Sequence, residues 1–582
     1  MTALDTEPEN GPRDGQTEGL SSTATGHPVP TAFERARSRL TGSDPRVGWA
    51  SAIGVAVLAF LLRLHRLDTP NVVAFDETYY AKDAWSLAHF GYVKEYLKDA
   101  DGKPKTDINA DIINGHTSGV WDTDPSMVVH PEVGKWLIAL GEKAFGMDPF
   151  GWRIAAAVVG ALMVLVMCRL ARRLTGSTAL GCVAGLLLSF DGLHFVLSRL
   201  ALLDIFLAFF MLCGVACIVN DRDWHRARLA ALVDGQVPRD SWGPVRGLLF
   251  RPWLVLGGIS FGLALGTKWT AIYPMAAFGL LVFVWSGGAR KSFGVRWARL
   301  RAVLTDGVPA FVQLVVVAGF VYVATWTGWL VHADDYEKAY SESQYARFVD
   351  EGETCDDKPV LDDNQWPTAK EPDASGPGEL VQSLRSLWYY HEDVYTFHTH
   401  FLNCSTHHYS SKPSGWLLIN RPVGVAADTE IKPTDPGCEA PQGSRCYRQV
   451  LLIGTPVIWW GGAIALLFAG VMWIGTRDWR YGVITVGALS TWLPWLLYDD
   501  RPIFFFYAIA TLPFLVLAIT MAMGKLIGPS RMPSTRRTIG VVVSGSFFVL
   551  ALLNFAWFYP ILSNEILTRD QWLDRIWFSR WV

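Results

Sequence analysis

Apolar residues along this chain come in long blocks, not in alternation. About eleven blocks approach or exceed the roughly 17–25 residues that cross about 30 Å of hydrocarbon as helix. They cover 47–65, 152–171, 177–197, 201–220, 253–268, 270–287, 308–331, 450–475, 481–498, 503–523 and 539–560. Backbone groups in lipid must bond within their own segment, so the predicted architecture is an all-α membrane bundle. The polar stretches divide it into a disordered cytoplasmic tail (1–46), a membrane module (47–331) with a first outer loop (66–151), a second large loop (332–449), the last membrane helices (450–560) and an outer tail (561–582). The first outer loop contains a further pattern. In HPEVGKWLIALGEKAFG, residues Val133, Trp136, Leu137, Leu140 and Ala144 recur at helical spacing. The segment is too short and too charged to span, so it is expected to lie in the interface. AKDAWSLAHFG, earlier in the loop, is expected to be a second such helix.

Charge settles the predicted orientation. The net charge of −3 conceals a strong segregation. Arg169, Arg172 and Arg173 follow the second block, six arginines lie between Arg222 and Arg251, and Arg290, Lys291, Arg296, Arg299 and Arg301 precede the seventh. Arg477 and Arg480, then Lys525, Arg531, Arg536 and Arg537, continue the series. All these connections fall on one side of an alternating bundle, and the two long acidic loops fall on the other. The positive-inside rule then places the N-terminus inside and the loops and C-terminus outside a cytoplasmic membrane. With the loops outside, the close spacing of CEAPQGSRC favours a Cys438–Cys446 disulfide over two free thiols, and a Cys355–Cys404 bridge is a second candidate.

Candidate chemistry centres on Phe75-Asp76-Glu77-Thr78-Tyr79-Tyr80, just past the first span. A carboxylate held against aromatic surface is partly desolvated, which raises its pKa and suits it to act as a base. Either Asp76 or Glu77 fits that role on residue type alone, against the bland reading of a solvated pair. Isolated ionisable residues gather near the same ends of the spans: Arg153, Arg199 with Asp204, Lys268, and Asp499-Asp500-Arg501. Singly each reads as a snorkelling anchor; together they suit a lipid-linked phosphate that becomes more anionic as it leaves. No G-x-x-x-x-G-K-[ST] loop and no G-x-G-x-x-G unit is present, so a sugar already activated on lipid fits better than a nucleotide sugar. His391, His398, His400, His407 and His408 match no standard metal spacing and are read as hydrogen-bonding loop histidines, with no metal assigned.

The ordered set FDETYYAKDAW, HPEVGKWLIALG, FGWRIAAAVVG, SRLALLDIFLAFF, GTKWTAIYP, HHYSSKPSGWLLINRPV and RPIFFFYAIATLPF resembles the protein O-mannosyltransferases, specifically the actinobacterial type. The resemblance covers most of residues 50–560 and implies a GT-C bundle. It implies inverting transfer of mannose from polyprenyl phosphate to Ser or Thr of secreted proteins; the expected ligand is the lipid-linked donor, a divalent metal stays open without support in the sequence, and no nucleic-acid partner is expected. It assigns the base to Asp76 with Glu77 beside it, and the essential arginine to Arg153. His130, Lys135, Arg199, Asp204, Lys268 and Arg501 also match family positions; Arg153, Arg501, Lys268 and Arg199 are expected at the donor phosphate, with His130, Lys135 and Asp204 in support. Eukaryotic members carry a β-trefoil in the second outer loop, and here that loop is too short to hold one beside the matching segments. The alternatives are another GT-C enzyme serving a lipid or glycan acceptor and a secondary transporter. The latter calls for midplane polar residues and inverted repeats that this sequence does not display.

Overall fold

The computed structural model describes residues 44–99, 105, 107–233, 240–341, 365–399, 401–528 and 534–582, without the side chains of Phe401 and Cys404. The tail expected over 1–46 falls almost wholly outside these residues, and so does the Cys355–Cys404 pairing.

Helix α1 (Pro45–Leu64) is opened by Asp44, whose carboxylate accepts from the Arg46 amide, with proline in the first turn. Helix α2 (Glu77–Phe90) starts directly after Asp76 and closes on Gly91, which takes φ 83°, a conformation glycine adopts without steric cost. Strands β1 (Lys94–Tyr96) and β2 (Trp121–Pro125) form a small antiparallel pair beyond it. Helix α3 (Val133–Phe145) is the segment predicted to lie in the interface. Its amphipathicity is turned outward. Lys135, Ile138 and Glu142 are buried against the protein, while Trp136, Leu140 and Phe145 are exposed, Leu140 at 63%. An apolar face on the outside is what a helix in contact with lipid requires.

Helix α4 (Pro149–Thr175) is capped by Asp148 and packs against both α1 and α5 (Thr178–Ser189). The predicted span 177–197 is interrupted after α5. The Asp191 carboxylate caps a new short helix, α6 (Gly192–Leu197), and also accepts from the Thr455 amide at 3.0 Å and Trp459 Nε1 at 2.9 Å. Helices α7 (Asp204–Leu232), α8 (Pro252–Leu265), α9 (Ile272–Ser292) and α10 (Ala298–Ala324, with π turns at 303–307 and 312–316) complete the first module. At the end of the bundle remote from Asp76, Arg251 pairs with Asp221, and Arg290 with Asp306, which also meets His225. Each of these charges is buried with its partner, the condition under which a charge can be kept out of water.

The second loop holds α11 (Pro377–Thr399) and the antiparallel strands β3 (Val423–Ile431) and β4 (Cys446–Leu452). The expected Cys438–Cys446 disulfide is formed. Helices α12 (Pro456–Thr476), α13 (Trp479–Trp492), α14 (Leu512–Ile527) and α15 (Thr535–Leu562) follow. The terminal segment then folds back: β5 (Leu567–Thr568) pairs with β4, and Trp581 is completely buried. The stretch predicted as a tail is therefore packed on the second loop: Trp572 Nε1 donates to Gln449 at 2.9 Å and Trp581 Nε1 to the Ile419 carbonyl at 2.8 Å.

Eight helices among the described residues are long and apolar enough to cross a membrane, and α5 and α14 are shorter apolar helices. The remaining predicted span, 481–498, is α13 continued by a 3-10 turn at Leu493–Leu497. The chain is a predominantly helical, multi-pass membrane protein, with two small antiparallel sheets.

Candidate active site

The site is built on the turn between α1 and α2. Arg153, in the first turns of α4, is fully buried beneath it. Its Nη1 donates to the carbonyls of Leu67 (3.3 Å) and Pro70 (2.8 Å), and Nη2 to that of Val72 (3.0 Å). Nε and Nη2 donate to the two Glu77 oxygens, each at 2.8 Å. These bonds account for the five N–H donors of a guanidinium. Glu77 is equally buried and also accepts from the amides of Ala74 (2.9 Å) and Ala201 (3.0 Å). Arg199 extends the brace, donating to the carbonyls of His65 (2.6 Å) and Arg66 (2.7 Å). Phe75 is thereby forced to φ 51°, a left-handed conformation rare for a bulky residue and found where function fixes the backbone. Its ring meets Phe504, Phe506 and His407 edge-on.

Asp76, one residue before Glu77, is treated differently. It is half-buried and makes no ion pair among the described residues. Burial pushes its carboxyl up to about 6, and the nearby charge of Asp204 adds to the shift. Lys268 and a hydrogen bond from Tyr80 oppose it. Lys268 Nζ donates to both Asp204 oxygens (3.0 and 2.9 Å) and lies 4.9 Å from the centre of the Tyr507 ring. Arg501 enters from the turn before α14, and its buried Nε has no partner among the described residues. His130 lies close by, its pKa driven well below the usual histidine range first by burial and then by the Lys268 charge.

A groove of roughly 680 Å³ lies along α3. Val133, Trp136 and Leu140 of α3 form one wall, and Phe210, Leu263 and Val331 line the rest. Leu263 sits on the last turn of α8.

Residues 126–327 match the family described as dolichyl-phosphate-mannose-protein mannosyltransferase. Residues 383–581 match the C-terminal four-transmembrane region of protein O-mannosyltransferase. A polyprenol-phosphate-mannose–protein mannosyltransferase of Mycolicibacterium smegmatis (strain MKD8) is 33% identical over the whole of both chains. The chain belongs to the protein O-mannosyltransferase family. A Corynebacterium glutamicum relative of the same description is 31% identical, over 90% of this chain and 92% of its own. The donor-bound Pmt1–Pmt2 complex of Saccharomyces cerevisiae shares the fold, with a TM-score of 0.62 at 14% identity, covering 95% of this chain and 94% of that one.

In this protein O-mannosyltransferase, the structure brings together Asp76, His130, Asp204, Lys268 and Arg501. Glu77, Arg153 and Arg199 are bonded away from that cluster, and Lys135, whose charge still reaches His130, is paired with Asp83. Arg153 was expected at the donor phosphate; here all five of its donors are bonded to Glu77 and to the carbonyls of Leu67, Pro70 and Val72. Glu77 is its partner and is likewise enclosed. Arg199 holds backbone carbonyls in the same manner. Lys135 pairs with Asp83 at 2.9 Å under α2, where Tyr96 also donates to Asp83 at 3.2 Å. In the sequence Tyr80 stands only as part of the aromatic surface beside the carboxylates, and nothing there signals Tyr507, which lies in the apolar run IFFFYAIA. Among the described residues, no three of His, Cys, Asp and Glu converge as metal donors.

Proposed function

We propose that this protein mannosyltransferase takes mannose from a polyprenyl-phosphate donor and passes it to Ser or Thr hydroxyls of secreted proteins at the outer membrane face, with Asp76 as general base. The observation that carries the assignment is the contrast within one dipeptide. Glu77 is locked to Arg153 and two backbone amides, whereas Asp76 makes no ion pair among the described residues and has a raised pKa. A carboxylate with a pKa near 6 is ionised at neutral pH yet basic enough to accept a hydroxyl proton.

In the reaction, the acceptor oxygen bonds to the mannose anomeric carbon as its proton passes to Asp76. The bond from that carbon to the phosphate oxygen breaks, and the polyprenyl phosphate leaves with the electron pair. A single displacement of this kind inverts the anomeric centre, by analogy with inverting hydrolysis. Lys268 and Arg501 meet the growing negative charge on the phosphate. The apolar groove along α3 receives the polyprenyl chain. The deciding experiment is single-turnover transfer by the purified protein, from polyprenyl-phosphate mannose to a Thr-containing peptide, with donor binding measured in parallel. Asp76→Asn should bind donor and fail to transfer. Full transfer by that variant would remove Asp76 from the role.

A further inference from the structure

His398 stands near the C-terminal end of α11, a helix of the second loop. It makes both hydrogen bonds that hold Arg501. Arg501 Nη1 donates to the His398 carbonyl at 2.9 Å and lies 3.0 Å from its ring Nδ1. Nε and Nη2 of the same guanidinium have no partner among the described residues, and Nε is buried. Those two nitrogens form one edge of the planar fork, an edge that matches two oxygens of a phosphate. The restraint is therefore confined to one corner of the guanidinium.

The imidazole is itself fixed. Its Nε2 lies 3.4 Å from the Val129 carbonyl, which can only accept, so the ring proton belongs on Nε2 and Nδ1 is left as an acceptor. The His130 ring stacks on it, 5.6 Å between centres and 11° from parallel, and Trp269 meets it edge-on at 6.1 Å. The facing ionisable groups are Arg501, Lys268 and His130. Burial, and then the charges of Arg501 and Lys268, lower the His398 pKa to about 4, so the ring stays neutral and Nδ1 stays free to accept. Helix α11 is in turn tied to the bundle through His391. That ring bonds the Tyr322 hydroxyl of α10, and the same hydroxyl accepts from Trp269 Nε1 at 2.8 Å.

We propose that His398 is a positioning residue: it grips Arg501 by one nitrogen, through its carbonyl and Nδ1, and so aims the free guanidinium edge at the donor phosphate. The inference rests on the reading of Arg501 as a phosphate ligand. It gives the second outer loop a direct part in donor recognition.

The test is a set of full-length variants assayed with polyprenyl-phosphate mannose and a Thr-containing peptide, each checked for folding by its melting temperature. His398→Ala should lower kcat/KM for the donor on the order of 10-fold or more, the scale of one lost hydrogen bond to a charged group. His398→Asn should recover much of this, because its amide oxygen falls close to the position of Nδ1. His398→Gln is nearer the ring in volume but carries its amide one bond further out, and it should not recover. In Arg501→Ala, adding His398→Ala should cost little more. Better activity in Gln than in Asn, or losses that multiply in the double variant, would reduce His398 to packing and overturn the proposal while leaving the phosphate reading intact. Normal turnover by Arg501→Ala would remove both. If the alanine variant melts too low to assay, the comparison of Asn with Gln still decides.

Discussion

At the scale of single residues, the instructive pair is Asp76 and Glu77. Their adjacency was legible in the sequence, but their divergence was not. It depends on Arg153 and on the Ala201 amide, both far away along the chain. Two measurements separate base from brace. Asp76→Asn should abolish transfer and leave the fold intact. Glu77→Gln and Arg153→Ala should each lower the melting temperature markedly, because breaking a buried pair costs about 3–5 kcal/mol. A normal melting temperature for Arg153→Ala would show that the turn stands without it. The raised pKa of Asp76 adds a pH signature. Transfer should fall with the ionised fraction as pH drops through about 6. For stability the sign is reversed. The folded-state pKa lies above the unfolded value, so Asp76 favours the fold at low pH and that contribution is lost as pH rises toward and past 6. Asp76→Asn should therefore melt higher than wild type at pH 8, by on the order of 1–3 kcal/mol, and lose that advantage near pH 4.

At the scale of elements, what could be read depended on whether an element declares itself by a period. The long apolar spans did, and so did α3, with its repeat from Val133 to Ala144. The break after α5 did not, because Asp191 sits within an apolar run and its partners, Thr455 and Trp459, belong to a distant segment. Strand β5 is two residues long, too short to show any alternation. Helix α3 also gives a test of the groove. Leu140→Asp places a charge on the exposed face that walls it, where burial of a leucine side chain is worth about 1.5–3 kcal/mol. KM for a long-chain polyprenyl donor should rise about 10-fold or more, while a donor with a short, water-soluble prenyl tail should be unaffected. An equal rise for both donors would place the lipid chain elsewhere.

At the scale of the whole molecule, the segregation of Lys and Arg predicts sidedness. Cysteines introduced at Asp111 and Asp373 should react with an impermeant maleimide in intact cells, and one at Asp240 should react only after lysis. Labelling at Asp240 in intact cells would reverse the orientation. The three-stranded sheet carries a different consequence, for the order of manufacture. Strand β4 finds β5 only after α15 has been made. Arg421 meanwhile bonds both the His408 carbonyl and that of Arg580, which ties the last residues to the loop whose His407 ring rests on Phe75, next to Asp76. The wall beside Asp76 therefore depends on contacts made by the segment after α15. A nascent chain still short of residue 567 has every catalytic side chain and an unclosed pocket, so truncation after Ser563 should leave a membrane-inserted protein with little transferase activity.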